Sequence, residues 1–414
     1  MRVCLINTSD ISGGAAIAAY RLHQGLQLVG LDSQMLVQDK VSDDYTVLGA
    51  TNKLGKGWAK LVPTIDSLPK ILYPQRENTH FAVQWFPNNT HHKINQLKPD
   101  IVNLHWICGG FVPIKSLSKI NAPLVWSLHD MWAFTGGCHY AGDCQSYQNN
   151  CGTCPQLGSN RNQDLSLQIW RKKQRHWQNL NITIVALSNW LADSVKKSSL
   201  FANNRIEVIP NSLDTNVYKP INKQLARTIL NLPQDKKLIL FGAMNATSDQ
   251  RKGFQFLCPA LEQLASQINH CELVIFGASK PFHGDNFPFQ TNYLGRLADD
   301  ISLAIIYSAV DVFVAPSLED NLPNTVMEAL ACGTPSVAFN IGGMPDMITH
   351  QENGYLANPF SVADLTYGIN WVLENNHRWQ KLSANARDMV LNKFTLQHQA
   401  TKYLELYQDL LSHQ

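Results

Sequence analysis

"VFVAPSLEDNLPNTVMEALACGTPSVAFNIGGMPDMI" runs from Val312 to Ile348. Val312–Ala315 is a short apolar run of strand type that stops at Pro316. A loop holding Glu319 and Asp320 follows, and a helical pattern begins near Asn324. A second apolar run, "PSVAFN", then ends on Gly342–Gly343. Strand, helix and strand in this order make a crossover unit, the repeating piece of a parallel sheet covered by helices on both faces.

The alternation extends outward in both directions. "KLILFGA", "CELVIFG" and "TNYLG" precede the quoted stretch, starting near Lys236. An earlier series comprises Met1–Asn7, "SQMLVQ", "DIVNLHW", "PLVWSLH", "ITIVALS" and "RIEVIPN". Two such series predict an α/β protein of two doubly wound, Rossmann-like domains, with a junction around "NSLDTNVYKP" (Asn211–Pro220). The expected division is 1–214, 215–394 and a C-terminal helix over 395–414. Sheets of this kind hold ligands outside the carboxyl ends of their strands, so the domains are expected to face a ligand cleft.

Composition narrows the class of partner. Lys and Arg total 34 against 32 Asp and Glu, a formal charge of +2, which does not suggest a nucleic-acid coat. The start, "MRVCLIN", lacks the apolar core of a signal peptide, and no run reaches the ~20 apolar residues of a membrane span. Five of the nine cysteines (Cys4, Cys108, Cys258, Cys271 and Cys332) are scattered among apolar neighbours, which suits a reducing compartment. A cytoplasmic location is the expectation.

Several residue sets have a spacing that suits chemistry. Asp320 and Glu328 are separated by seven residues, so both carboxylates can face one cleft, and a carboxylate accepts two sugar hydroxyls in one plane. First-turn amides around Asn324 and Thr325 suit a phosphate. Glu328 is equally well placed to complement the helix dipole alone. Arg251 and Lys252, in a loop after a strand, suit a departing diphosphate or simply form a solvated basic turn. Gly342 and Gly343, like Gly13 and Gly14 in the first series, allow close backbone approach to a ligand, though such pairs also form ordinary turns.

Taken together with "ISGGAAIAAYRL", "LHDMWAFTGGC", "ALSNWLADS", "VIPNSLDTNVYKP", "RKGF" and "LGRL", the chain resembles the retaining glycosyltransferases of family 4, of GT-B fold, nearest the exopolysaccharide and colanic-acid branch. The resemblance implies an acceptor-side domain first and a nucleotide-sugar-binding domain second, with the last helix packing back toward the first. It implies that Lys252 holds the donor diphosphate, Glu328 the ribose hydroxyls and Asp320 the donor sugar. Gly13 and Gly14 would line the cleft, and His129 would stand at the reaction centre. The family usually has Glu where this chain has Asp320, so Glu319 is an alternative sugar contact. An arginine common in the family after the "KLILFG" strand is missing from "GAMN" (Gly242–Asn245), and Arg251 is the candidate replacement. The expected ligands are a GDP- or UDP-sugar and a glycan or lipid-linked oligosaccharide, with no nucleic acid. No Asp-x-Asp pair occurs in the sequence, so no catalytic divalent metal is expected. A nucleotide-sugar 2-epimerase and a non-catalytic sugar-nucleotide-binding protein remain the alternatives.

Two further stretches call for a reading. Cys138, Cys144, Cys151 and Cys154, in the loop 138–154, are spaced as four thiolate ligands for a structural zinc ion, with His139 as a substitute; an iron–sulfur cluster, or free or paired thiols, are the alternatives. Residues 51–75 carry four lysines, one aspartate and several large apolar residues, a pattern that suits the inner face of a membrane as well as a plain surface helix. "WRKKQRHW" (Trp170–Trp177) is a second basic stretch of the same kind.

Overall fold

Parallel pairing dominates because the strands are apolar on both faces. In the computed structural model, which describes residues 1–242, 249–278, 287–297 and 299–413, two sheets form. The first contains β1 (Arg2–Ser9), β2 (Asp32–Asp39), β3 (Val47–Leu48), β4 (Ile101–Leu104), β5 (Leu124–Leu128), β6 (Ile182–Ala186) and β7 (Ile206–Val208), in the order β3-β2-β1-β4-β5-β6-β7. The second contains β8 (Lys237–Gly242), β9 (Cys271–Phe276), β10 (Thr291–Tyr293), β11 (Val312–Ala315), β12 (Ser336–Phe339) and β13 (Gly354–Ala357), in the order β10-β9-β8-β11-β12-β13. Every strand pair in both is parallel. Both are doubly wound, as the sequence predicts, and each reverses direction at one switch point, β1/β4 in the first sheet and β8/β11 in the second. The short strands β3 and β13 are additions to the predicted set.

Helices cover the sheets: α1 (Gly14–Leu28), α2 (Lys53–Ser67), α3 (Thr90–Gln96), α4 (Leu165–Trp177) and α5 (Asn189–Lys197), then α6 (Lys223–Ile229), α7 (Phe254–Ala265), α8 (Asp300–Ala309), α9 (Asn324–Ala331), α10 (Met344–Met347), α11 (Val362–Leu373), α12 (Asn376–Lys393) and α13 (Leu396–Ser412). Local chemistry sets several starts. Asp164 and Ser188 accept the Leu167 and Leu191 amides at the heads of α4 and α5, satisfying donors that have no partner within the helix.

The chain divides into two compact units, Met1–Pro210 joined by the residues from Gln399 onward, and Asn211–His398. The N-terminal unit needs α13 to complete its core. Ala400, Tyr403, Leu406 and Tyr407 pack with Val3, Leu5, Leu22 and Val125. Two buried tyrosine hydroxyls reach into the sheet: Asn103 Nδ2 donates to Tyr407 at 2.7 Å, and Tyr403 lies 2.7 Å from Ser127 Oγ. Since Ser127 donates its own proton to Asn103 Oδ1 at 2.9 Å, Tyr403 must be the donor in that pair. The "GAMN" turn lies outside the described residues from position 243 to 245.

Candidate functional site

The second unit gathers its charged groups at the β8/β11 switch point. After β8, Asp249 caps a single helical turn by accepting the Arg251 amide at 3.0 Å, and it also pairs with the Arg251 guanidinium at 2.8 Å. Lys252 leaves the same turn and meets Asp320 Oδ2 at 2.7 Å. Asp320 is only 8% exposed, so this is a largely desolvated, charge-assisted contact. The acidic loop is tied down on both sides. Leu318 N donates to Arg251 O at 2.8 Å, and Gly343 N donates to Asp320 O at 3.1 Å. Two glycines permit that packing: a Cβ at Gly253 would fall on the Pro316 carbonyl, and one at Gly342 on the Asp320 carbonyl. Both have positive φ, +75° and +54°, which adds strain for any other residue. The close approach seen at Gly342–Gly343 is thus to the Asp320 backbone.

Helix α9 opens at Asn324 directly after Pro323, which lacks a capping side chain, and Asn211 Nδ2 reaches Asn324 Oδ1 at 3.4 Å. Glu328, one turn in, is 4% exposed and accepts the Tyr307 hydroxyl at 3.2 Å. Burial and that neighbouring carboxylate push the Tyr307 phenol well above its ordinary range, so it stays a donor.

In the first unit the carboxyl ends of β4 and β5 lie side by side and each ends in Leu-His. His105 Nδ1 and His129 Nε2 are 3.0 Å apart. Burial lowers His129 to about 4 against an opposing pull from Asp130, and burial holds His105 well below its ordinary value, so both rings are neutral at pH 7. His105 Nε2 is buried with no hydrogen-bond partner among the described residues. Between two neutral rings, one imidazole nitrogen donates in this contact and the other accepts. Asp130 lies alongside, accepting from His139 Nδ1 at 2.7 Å, the Trp132 amide at 2.8 Å and Trp106 Nε1 at 3.1 Å. Burial raises that carboxyl, but the His139 ring and the Trp132 amide outweigh it and hold it below the usual range. Gly13 heads α1 at φ +97°, and a Cβ there would meet open space.

Comparison with known proteins gives the arrangement its family. Residues 12–217 match the model of glycosyltransferase family 4, and 235–375 match that of glycosyl transferases group 1. This chain is a family 4 glycosyltransferase. It is 24% identical over 369 residues to a protein of Escherichia coli K12 named as a colanic acid biosynthesis glycosyl transferase, WcaC, covering 82% of this chain and 83% of that one. Other curated relatives are matched over less, 47% and 60% of their own length. The fold is that of the sucrose-phosphate synthase of Thermosynechococcus elongatus, with a TM-score of 0.72, 19% identity and full coverage of both chains. It is also that of Anabaena HepE, solved with UDP, with a TM-score of 0.62, 16% identity and coverage of 99% and 100%.

Within the glycosyltransferase, the structure brings Lys252, Asp320, Gly342 and Gly343 into one cluster and buries Glu328 in α9. It turns Arg251 toward Asp249. His105 escaped sequence reasoning, although the shared endings "NLHW" and "SLHD" of neighbouring strands were a signal. Among the described residues no group of three or more His, Cys, Asp and Glu side chains is arranged to hold a metal ion, so zinc ligation by Cys138, Cys144, Cys151 and Cys154 is not shown, and His139 pairs with Asp130. The thiols are free and close enough to influence one another, and burial raises Cys151 to about 12. In "WRKKQRHW", Trp170 and Trp177 face the core and Lys173 is wholly buried, donating to the Trp132 and Thr135 carbonyls, while Arg171 and Arg175 stay exposed.

Proposed function

We propose that this glycosyltransferase works with retention and without a catalytic metal, moving a sugar from a GDP- or UDP-sugar to a hydroxyl of a glycan or lipid-linked oligosaccharide in polysaccharide biosynthesis. The observation that carries the reading is the Lys252–Asp320 pair at the switch point beside α9. It aligns a cation for a phosphate and a carboxylate for sugar hydroxyls at the place where doubly wound sheets bind nucleotides. HepE, solved with UDP, supports a nucleotide donor, and the likeness to WcaC supports a polysaccharide pathway.

In this reading Glu328 accepts the ribose hydroxyls, and Asp320 or Glu319 holds the donor sugar. The acceptor oxygen attacks the anomeric carbon while the bond to the leaving phosphate breaks, and the acceptor proton passes to that phosphate oxygen on the same face. Lys252, Arg251 and the amides at Asn324 and Thr325 stabilise the growing negative charge, taking the part a divalent ion plays elsewhere. His129, on the acceptor side, presents a neutral imidazole.

A panel of nucleotide sugars with wild type and Glu328→Ala tests the assignment. Loss of two hydrogen bonds to a buried carboxylate predicts a fall in kcat/KM of at least about 100-fold. NMR of the product is expected to show the donor's anomeric configuration, and chelator is expected to leave turnover unchanged. Full activity of Glu328→Ala would refute the role of that residue, and a free epimer formed from donor alone would identify an epimerase.

A further inference from the structure

His105 has no role in the transfer chemistry described above, although it is 4% exposed and in contact with His129. Its mount is rigid. The His105 amide donates to Ile6 O at 2.9 Å, and the His105 carbonyl accepts Trp126 Nε1 at 3.0 Å. The next amide, that of Trp106, donates to Asn7 Oδ1 at 2.8 Å. In the β4/β5 ladder Leu104 is opposite Trp126, so His105 follows opposite Ser127. Strand side chains alternate between faces, which puts His129, two residues further along, on the same face as the His105 ring. The rings meet there, with His105 Nδ1 and His129 Nε2 3.0 Å apart. Both line a cavity of about 10 Å³, roughly the space of one water molecule, so the His105 ring has no room to swing clear.

This arrangement is poor for stability and good for holding a partner still. His105 Nε2 is buried without a hydrogen-bond partner among the described residues, which leaves the contact with His129 as the hydrogen bond of this ring. A buried polar atom left unpaired destabilises a fold, and an apolar side chain of similar size removes the penalty. Packing alone therefore does not account for a histidine at this position. Its effect on His129 does. A neutral imidazole carries one proton, so the contact at His129 Nε2 decides whether His129 Nδ1 donates or accepts, and it fixes the plane of the ring. Burial keeps the His129 ring uncharged, which suits a place beside a sugar whose anomeric carbon becomes positive.

We infer that His105 is a positioning residue, which sets the tautomer and ring plane of His129 through Nδ1 and is too deeply buried to reach a sugar itself. The carboxylate next to His129 is held in a similar manner, since Asp130 accepts His139 Nδ1, the Trp132 amide and Trp106 Nε1. The two adjacent side chains at the end of β5 are thus oriented separately, the imidazole from β4 and the carboxylate from the residues that follow β4 and β5. The use made of His129 belongs to the transferase reading, on which this role rests, whereas the pairing of the rings is measured without turnover.

The test joins NMR of the full chain, labelled at its histidine nitrogens, with kinetics. Two-bond nitrogen–proton correlation spectra of the wild type are expected to show a single tautomer for His129. In His105→Leu the two ring nitrogens of His129 should shift toward each other, as exchange between tautomers averages them. His105→Asn should restore the wild-type pattern, because the Asn oxygen and nitrogen lie two bonds from Cβ, as Nδ1 does. With the UDP- or GDP-sugar of the donor panel that gives the highest turnover, His105→Leu should lower kcat at least about 10-fold while the donor KM stays within about 2-fold, and His105→Asn should recover most of the loss. The Tm of His105→Leu should equal or exceed that of wild type, since the unpaired nitrogen is gone and water can reach the half-buried His129. An unchanged His129 pattern or an unchanged kcat in His105→Leu would overturn the inference, as would a lowered Tm with kinetics intact. Should His105→Leu fail to fold, His105→Gln, whose amide lies one bond farther from Cβ, takes its place under the same NMR and kcat criteria. A wild type that shows the single tautomer, loses it in His105→Leu and transfers no sugar would count against the transferase reading and leave the pairing standing.

Discussion

Lowering the pH from 7.5 to 5 is expected to destabilise the N-terminal unit far more than its carboxylates account for. Three of its histidines are kept neutral by desolvation, His23 and His105 buried and His129 half-buried. Burial brings His23 and His129 to about 4 and places His105 well below its ordinary value. The sign follows from their depression. Above pH 6.5 neither state is protonated, and as pH falls toward 4 the unfolded chain takes up protons that the folded chain refuses, so stability is lost. At pH 5 the loss is set by the unfolded value, 1.5 units away, or about 2 kcal/mol per ring. Three rings sum to about 6 kcal/mol, a large part of the total stability of an ordinary domain. For a unit of about 225 residues that corresponds to a fall in Tm of roughly 12 °C. Calorimetry or urea unfolding of the full chain at several pH values measures it, following the transition of this unit. His23→Gln removes one titrating ring, whose neighbours are Ser33 and Thr46 at 2.8 and 2.7 Å, and should remove about a third of the slope. A midpoint that stays flat between pH 7.5 and 5, or a slope unchanged in His23→Gln, would refute the reasoning.

Two further outcomes are expected. Tyr407→Phe strands the buried Asn103 amide and should cost about 1–3 kcal/mol in urea unfolding, whereas Tyr403→Phe leaves only a lone pair on Ser127 and should cost less than about 1 kcal/mol; equal losses would contradict the donor assignment. Gly253→Ala places a Cβ on the Pro316 carbonyl at a positive φ and should displace the turn that carries Lys252, weakening UDP or GDP binding by roughly an order of magnitude or more in calorimetry; unchanged nucleotide affinity would separate that turn from the site.

The fold was legible because its cause is local. Runs such as "VFVA" and "LVIF" are apolar at every position, which only a strand covered on both faces requires, and the helical patterns between them force parallel crossovers. Asp320, Glu328 and the basic turn at Arg251–Lys252 were visible for the same reason: each sits where a strand ends, and a strand end in such a sheet faces a ligand. Neighbourhood across the sheet was not visible. His105 and His129 are 24 residues apart and meet only because β4 and β5 pair, and Lys252 and Asp320 are 68 apart and meet only because β8 and β11 do. The cysteine spacing and the tryptophans around Trp170–Trp177 show the limit from the other side. Spacing and composition specify which side chains are present, not which way they turn, so the tryptophans of one basic aromatic stretch turn into the core while Trp58 of the other, on α2, lies open. The sequence by itself determined two doubly wound sheets and the loops that carry the charged residues. The tertiary structure decided the pairings, the protonation of the histidines and the open face of α2, because burial and cross-sheet contact exist only once distant segments have packed.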